Sequence, residues 1–214
     1  MSYIVYGAGG HAKVVIDILR ARSEKIVGIL DDHILVDEWN GLPVFGGTDR
    51  LQDIMKQFPE SLFIVAIGDN EVRKRISDTL VNAGGQFGNA VHPSAVIAPN
   101  VNLGKGTVIM PMAVINSDAV IGEHVIINTS ATVDHDCRIS DFTHISPGVN
   151  IAGAVNIEAS VHIGIGAALI QGVTVGRNTV VGAGACVIND LPENVVAVGC
   201  PANVINYVRD ETTC

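Results

Sequence analysis

The sequence predicts a chain in two parts, a small doubly wound α/β sheet followed by a parallel β-helix built from hexapeptide repeats. Three observations carry this. From Ile97 to Val187 every sixth residue is aliphatic; three apolar runs before it alternate with amphipathic stretches; and the first run ends in the glycine turn Gly7-Ala8-Gly9-Gly10-His11-Ala12.

The repeat reads Ile97, Leu103, Ile109, Ile115, Ile121, Ile127, Val133, Ile139, Ile145, Ile151, Ile157, Ile163, Leu169, Val175, Val181 and Val187 without a miss. The residue two before each aliphatic is small or β-branched, from Ala95, Val101 and Thr107 to Ala185, and a Gly or Asn often follows, as at Gly104, Asn116, Gly122, Asn128 and Gly164. Two inward residues per six, then a turn, is a short strand repeated. A helical period of 3.6 could not hold this register, and a flat sheet would show period two. Each hexapeptide is one side of a triangular prism, so a coil takes about 18 residues and the repeat makes about five coils. Positions one coil apart stack on one face. The outward column Val108, Ile126, His144, His162, Val180 is the apolar one. It is expected to meet another subunit, since an exposed apolar column usually marks a contact surface.

The first part alternates strand and helix. Ser2–Tyr6 reads as a strand and the stretch from Ala12 to Arg22, with Val14, Val15, Ile18 and Leu19 on one face, as a helix. A second strand, Ile26 to Leu30, ends in Asp31-Asp32, and a third, Leu62 to Ile67, ends in Gly68-Asp69-Asn70. Between them Thr48 to Phe58 predicts a helix with Thr48 as N-cap, and Asn70 to Ala83 another, stopped at Gly84-Gly85. The order β-α-β-α-β-α makes a small doubly wound sheet. Its glycine turn, with acids about twenty residues on, is suited to a phosphate at a helix N-terminus. Only one mononucleotide half fits before the repeat, so a nucleotide-linked ligand suits it better than a dinucleotide. Gln86 to Val91 predicts a strand leading into His92-Pro93. The expected boundaries are 1–91 for the sheet, 92–190 for the β-helix, and 191–214 for a tail that turns back over the last coil at Pro192 and Pro201.

Composition narrows the function. The chain has 214 residues and a net charge of −9, with no basic cluster, which argues against a nucleic-acid partner. No run is long enough to span a membrane and no signal peptide is evident, so a cytoplasmic location is expected. Cys137, Cys186, Cys200 and Cys214 lack CxxC spacing and read as reduced thiols, Cys137 pointing inward.

The motifs GAGGH, LDD, AIGDNEVRKR, HPSA, INTSATVDHDC and VGCPA, in that order, span nearly the whole chain. In this it resembles the hexapeptide sugar acetyltransferases related to sialic-acid O-acetyltransferase and the bacillosamine-pathway UDP-amino-sugar N-acetyltransferase. The resemblance implies a Rossmann-like domain holding the nucleotide of the sugar substrate, and a left-handed β-helix that trimerises and takes acetyl-CoA between subunits, with no metal. Carried over position by position, it implies nucleotide-sugar contacts at Gly9, Gly10, His11, Asp31, Asp32 and Gly68. It implies a general base at His135 with Asp136 as its carboxylate partner, and acetyl-CoA contacts at His144, Ile165 and Ala183. Asp136 stands where some relatives have Glu, and Asp69 where Asn is common.

The residues support a base at His135 independently. It lies at a turn, two after Val133, points outward, and is followed directly by an acid. A histidine titrates near neutrality, and a carboxylate fixes its tautomer and raises its basicity. His33, His92, His124 and His162 read as turn or interface residues. Half a coil separates His135 from His144, so a site using both must lie between subunits. The favoured reaction is acetyl transfer to the amine of a UDP-4-amino sugar; an O-acetyltransferase acting on sialic acid is the alternative. A γ-type carbonic anhydrase would need three clustered histidines, and an inert nucleotide-sugar sensor would need no His135.

Overall fold

The computed structural model describes residues 1–208, so Cys214 lies outside the described residues. Strands β1 (Ser2–Tyr6), β2 (Lys25–Leu30), β3 (Glu38–Trp39), β4 (Leu42–Pro43) and β5 (Leu62–Val65) and helices α1 (Gly10–Ala21), α2 (Leu51–Gln57) and α3 (Asn70–Asn82) build the first part. β1 pairs in parallel with β2 on one side and β5 on the other. Alternation along β1 sorts its side chains between two cores. Tyr3 and Val5 pack with Ala12, Val15, Ile16 and Leu19 of α1, whereas Ile4 and Tyr6 pack with Leu51, Ile54, Ile76 and Leu80 of α2 and α3.

One local expectation changes. Thr48 does not cap a helix: it opens a 3₁₀ turn, Thr48–Arg50, and its hydroxyl donates to Asp32 Oδ1 at 3.0 Å. The carboxylate two strands away competes for that hydroxyl, so α2 starts only at Leu51. β3 and β4 form a hairpin about Asn40-Gly41, whose φ angles of 51° and 73° are the pair a tight hairpin turn requires.

The repeat is the expected prism. Its first face stacks Ala90–Val91, Val108–Ile109, Ile126–Ile127, His144–Ile145, His162–Ile163, Val180–Val181 and Val195–Val198. The second face runs from Val96–Ile97 to Cys186–Val187, and the third from Asn102–Leu103 to Thr174–Val175. There are about six coils rather than five, because the segment after α3 divides. Phe87 bridges Phe63 at the edge of the first sheet, while Ala90–Val91 already pairs with Val108–Ile109. The inward aliphatics form one continuous dry core, Cys137 included.

The apolar column on the first face, expected to meet another subunit, is covered at its upper end by the chain's own first part. Val108, Met110 and Ala90 belong to the same core as Val15, Ile16 and Ile18 of α1. α1 is therefore buried on two sides, between its sheet and the prism. Beyond the last coil, Val195–Val198 pairs in parallel with Val180–Val181 and antiparallel with Asn203–Tyr207, and Ala202 packs on the core. Among the described residues, no helix is long and apolar enough to cross a membrane.

Candidate active site

The chemistry-bearing residues fall in three places. The first is the N-terminus of α1. Gly7 has φ 114°, and a Cβ there would sit 3.0 Å from the Ala66 carbonyl oxygen, so only glycine makes this turn. Gly9 precedes the helix with extended backbone and no side-chain cap, and no acid occupies the first turn. A Cβ on Gly9 or Gly10 would meet nothing within 4 Å. This leaves amide donors and the positive end of the helix dipole open to an anion. Among the described residues, His11 Nε2 is buried there without a hydrogen-bond partner.

Asp31 and Asp32 close the same end of the sheet, each committed to the fold. Asp31 Oδ2 accepts from the Ala8 amide at 2.8 Å, and its Oδ1 from the amides of His33 and Ile34. Asp32 accepts from Tyr6 Oη at 2.5 Å and from the Thr48 amide at 2.8 Å. Burial works against the Asp32 carboxylate, but the bonds from Tyr6 and Thr48 outweigh it and hold its pKa below the usual range. The acids thus shape the glycine turn and its opposing loop before any ligand is considered.

Gly68 joins this end to the prism. Its carbonyl accepts from His144 Nδ1 at 3.1 Å, and His144 Nε2 accepts from Asn128 Nδ2 at 3.1 Å. Both ring nitrogens are engaged and the tautomer is fixed. His144 also stacks on His162 at 4.9 Å and lies 6.4 Å from the His11 ring. Burial first, and then the neighbouring His162 and Arg73, push the His144 pKa down to about 3; burial and Arg73 push His11 down to about 4.

Arg73 holds this junction together. It is buried, and its guanidinium donates to the carbonyls of Gly68 at 3.0 Å, His124 at 2.9 Å and Phe142 at 2.7 Å, and to Asn70 Oδ1 at 2.7 Å. Asn70 Nδ2 in turn donates to the Ser160 carbonyl at 3.1 Å. His124, Phe142 and Ser160 are one coil apart on the corner between the third and first faces, each at positive φ. Two side chains one helical turn apart thus grip three stacked turns. Asp69 caps the helix, accepting from the Val72 amide at 2.9 Å.

The second place is the corner between the second and third faces. There His135 Nδ1 lies 2.8 Å from Asp136 Oδ2. A carboxylate can only accept, so the proton is on Nδ1 and the lone pair of the neutral ring is on Nε2. The main chain is fixed on both sides: the His135 amide donates to Asp134 Oδ1, which also accepts from Asn116 Nδ2, and the His135 carbonyl accepts from the Ala154 amide at 2.9 Å. The bond to Asp136, and then the charge of Asp134, raise the His135 pKa. The ring is well exposed, at 60%.

The third place is the corner between the first and second faces. Ile165 and Ala183 lie one coil apart there, their turns joined by the Gly184 amide on the Ile165 carbonyl at 2.8 Å, and Ile165 is 58% exposed. The structure therefore gathers His11, Gly68 and His144, pairs His135 with Asp136, and stacks Ile165 on Ala183. Within one chain it keeps His135 apart from His144, on the corner opposite the first face. Cys137, buried beneath His135's turn, has its thiol pKa raised by burial and lies 3.2 Å from the Ala152 carbonyl. Among the described residues, no three His, Cys, Asp or Glu side chains converge as metal ligands would.

A family model described as the PglD N-terminal domain matches residues 3–80. A GDP-perosamine N-acetyltransferase from Caulobacter crescentus, in crystal structures with CoA and GDP-perosamine, matches with TM-score 0.92 and 41% identity over 96% of this chain and 97% of that one. In two of those structures one histidine is replaced, by alanine or asparagine. The acetyltransferase domain of PglB from Neisseria gonorrhoeae, in complex with acetyl coenzyme A, matches with TM-score 0.89 and 36% identity over 95% and 98% of the two chains. UDP-N-acetylbacillosamine N-acetyltransferase of Bacillus subtilis is 37% identical over 105 residues, so the match spans 49% of that curated relative and 49% of this chain. The chain belongs to the left-handed β-helix sugar N-acetyltransferases.

Several residues that organise this transferase escape a reading of the sequence. Arg73 and Asn70 sit in a helix whose polar residues look solvent-facing. Asp134 reads as an ordinary turn residue. The available signal is spacing: Asn70, Arg73 and Ser77 fall on one helical face, and Ser77 Oγ reaches His124 Nδ1 at 3.2 Å.

Proposed function

We propose that this transferase moves the acetyl group of acetyl-CoA to the amine of a nucleotide-linked amino sugar, with His135 as general base and Asp136 as its partner. The observation that carries the reading is the His135–Asp136 pair, exposed, with the tautomer fixed and Nε2 free. The nucleotide's phosphates would lie on the open amides of α1 at Gly9 and Gly10, with His11 Nε2 as a further polar contact, Gly68 beside them, and Asp31 and Asp32 bracing the loops. The nitrogen attacks the thioester carbonyl, a C–N bond forms as the C–S bond breaks, the amine proton passes to His135 Nε2, and CoA leaves as the thiolate. Transfer is direct: Cys137 is buried and has no base beside it. The perosamine and bacillosamine activities of the relatives favour nitrogen over the sialic-acid oxygen.

The active unit is a homotrimer packed through the second face. That face's outward residues, Val96, Val114, Thr132, Asn150, Ala168 and Cys186, carry no charge, whereas the third face carries Arg138 and the first is already covered. The repeat's exposed large aliphatics, Val96, Met112, Ile165, Ile170 and Ile188, all lie on this face or along its two edges. Three prisms with second faces inward set the Ile165–Ala183 corner of one copy beside the His135 corner of the next. Acetyl-CoA along the first corner and His135 from the second then complete one site, with His144 of the first copy behind it. The test is a panel of UDP-, GDP- and dTDP-amino sugars and free sialic acid, assayed for CoA thiol release, with light scattering for the assembly. Release with an amino sugar from a trimer is the expected result. Release with sialic acid alone, or a monomer with full activity, would overturn it.

A further inference from the structure

Gly153 lies one coil below His135, and its presence is not explained by its backbone. Its φ lies outside the left-handed region, where any residue could stand. Space explains it instead. A Cβ built on Gly153 would lie 2.6 Å from His135 Cε1, 2.7 Å from Nε2 and 3.2 Å from Nδ1, well inside contact distance. The imidazole rests on the glycine, with the Cε1–Nε2 edge closest. The bond from the Ala154 amide to the His135 carbonyl keeps the two turns in register, so the ring cannot escape by sliding the main chain. Nor can it rotate freely, since Nδ1 is tied to Asp136.

We propose that Gly153 is a positioning residue for the acetyl transfer: it is the floor that lets His135 lie flat with Nδ1 on Asp136 and Nε2 directed at the incoming amine. The inference rests on the proposed role of His135. A methyl group at 153 would lift the ring, break or lengthen the bond to Asp136, and move the nitrogen that takes the proton. Misplacement of a reacting group by about 1 Å is enough to cost on the order of a hundredfold in rate.

The test is Gly153→Ala in the full chain, with Gly153→Ser as a second variant. The expected result is a fall in kcat of about tenfold to a hundredfold with both KM values within about threefold. The melting temperature should hold or rise slightly, because alanine at an ordinary φ narrows the unfolded ensemble. A merely structural glycine would show the opposite pattern. NMR titration of the His135 ring reads the placement without relying on turnover: its midpoint should fall in both variants as Asp136 is lost. Wild-type kcat together with an unchanged His135 titration would overturn the inference. The two readings fail separately, because His135→Ala with normal turnover would remove the base assignment while the titration would still decide whether Gly153 places the ring.

Discussion

Two sets of histidines in this molecule are driven in opposite directions by the same physics. His11 on α1 and His144 and His162 on the first face lie in the seam between the two parts of the chain, where burial disfavours their charged forms. His144 spends both nitrogens on Gly68 and Asn128. On the opposite corner His135 is exposed, spends one nitrogen on Asp136, and is shifted upward. Of the seam histidines, His144 acts as a neutral polar spacer that fixes Gly68 against the prism, whereas His135 keeps Nε2 for a proton. A histidine can accept a proton only where the protein leaves it something to accept with.

The sharpest way to break this comparison is to remove one member of each set. His135→Ala should lower kcat by about 10² to 10⁴ with small changes in KM, since that is the usual worth of general-base catalysis. His144→Gln should leave kcat within about tenfold, because an engaged neutral ring supplies no proton transfer. Steady-state kinetics with the nucleotide sugar and acetyl-CoA each varied would decide it; equal losses from both variants would erase the distinction.

The next effect is structural and concerns Arg73, whose guanidinium bridges the seam. Arg73→Leu would strand the carbonyls of His124 and Phe142 in a buried site. Each unsatisfied group costs about 1 to 3 kcal/mol, so a loss on the order of 3 kcal/mol or more is expected. Arg73→Lys should recover part of it, with fewer donors in a less suitable shape. Urea midpoints measure this. A leucine variant as stable as the parent would mean that water already reaches those carbonyls.

These residues also show where a sequence is legible. The prism could be read because a six-residue period is local and survives over the whole repeat, and His135–Asp136 because the pair is adjacent in the chain. The hairpin at Asn40-Gly41 carries a recognisable turn signal in the sequence. The column from Val108 to Val180 did announce a covered face, but an apolar column cannot say what covers it. Arg73 and Gly153 were not legible. An arginine in an amphipathic helix has the pattern of a solvated face until the turns it grips are in place. A glycine that makes room for a ring eighteen residues away resembles every other turn glycine.

The pH dependence of stability sharpens the comparison from the seam side. His11, His124 and His144 have folded pKa values of about 4, 4 and 3, below the ordinary 6.5 of the unfolded chain. As pH falls below about 6.5 the unfolded chain takes up protons that the folded chain refuses. Their stabilisation is therefore complete above that pH and is lost as pH drops toward 4, on the order of 2 kcal/mol per ring. Denaturant midpoints should fall through this window, and a His11→Gln, His144→Gln double variant should flatten the slope. A profile equally steep in the double variant would place the acid sensitivity elsewhere.

The smallest expected effect lies on the corner side and concerns how His135 acquires its basicity. The ring must be neutral to act, so turnover should rise with pH, with a midpoint above the ordinary 6.5 because the folded pKa is raised. Asp136→Asn keeps an acceptor for Nδ1 but removes the charge, so the midpoint should move down and the plateau fall by about threefold to tenfold. Asp134→Asn should do less, because its charge is the second contribution and its bond to the His135 amide survives as an amide oxygen. The two variants separate electrostatics from placement: Asp136 supplies both a hydrogen bond and charge to the ring, Asp134 supplies charge to the ring and a tether to the main chain. If Asp134→Asn shifted the midpoint more than Asp136→Asn, the ring would be governed by the field of the turn and not by its bonded partner, and the pairing seen at 2.8 Å would be incidental to the base.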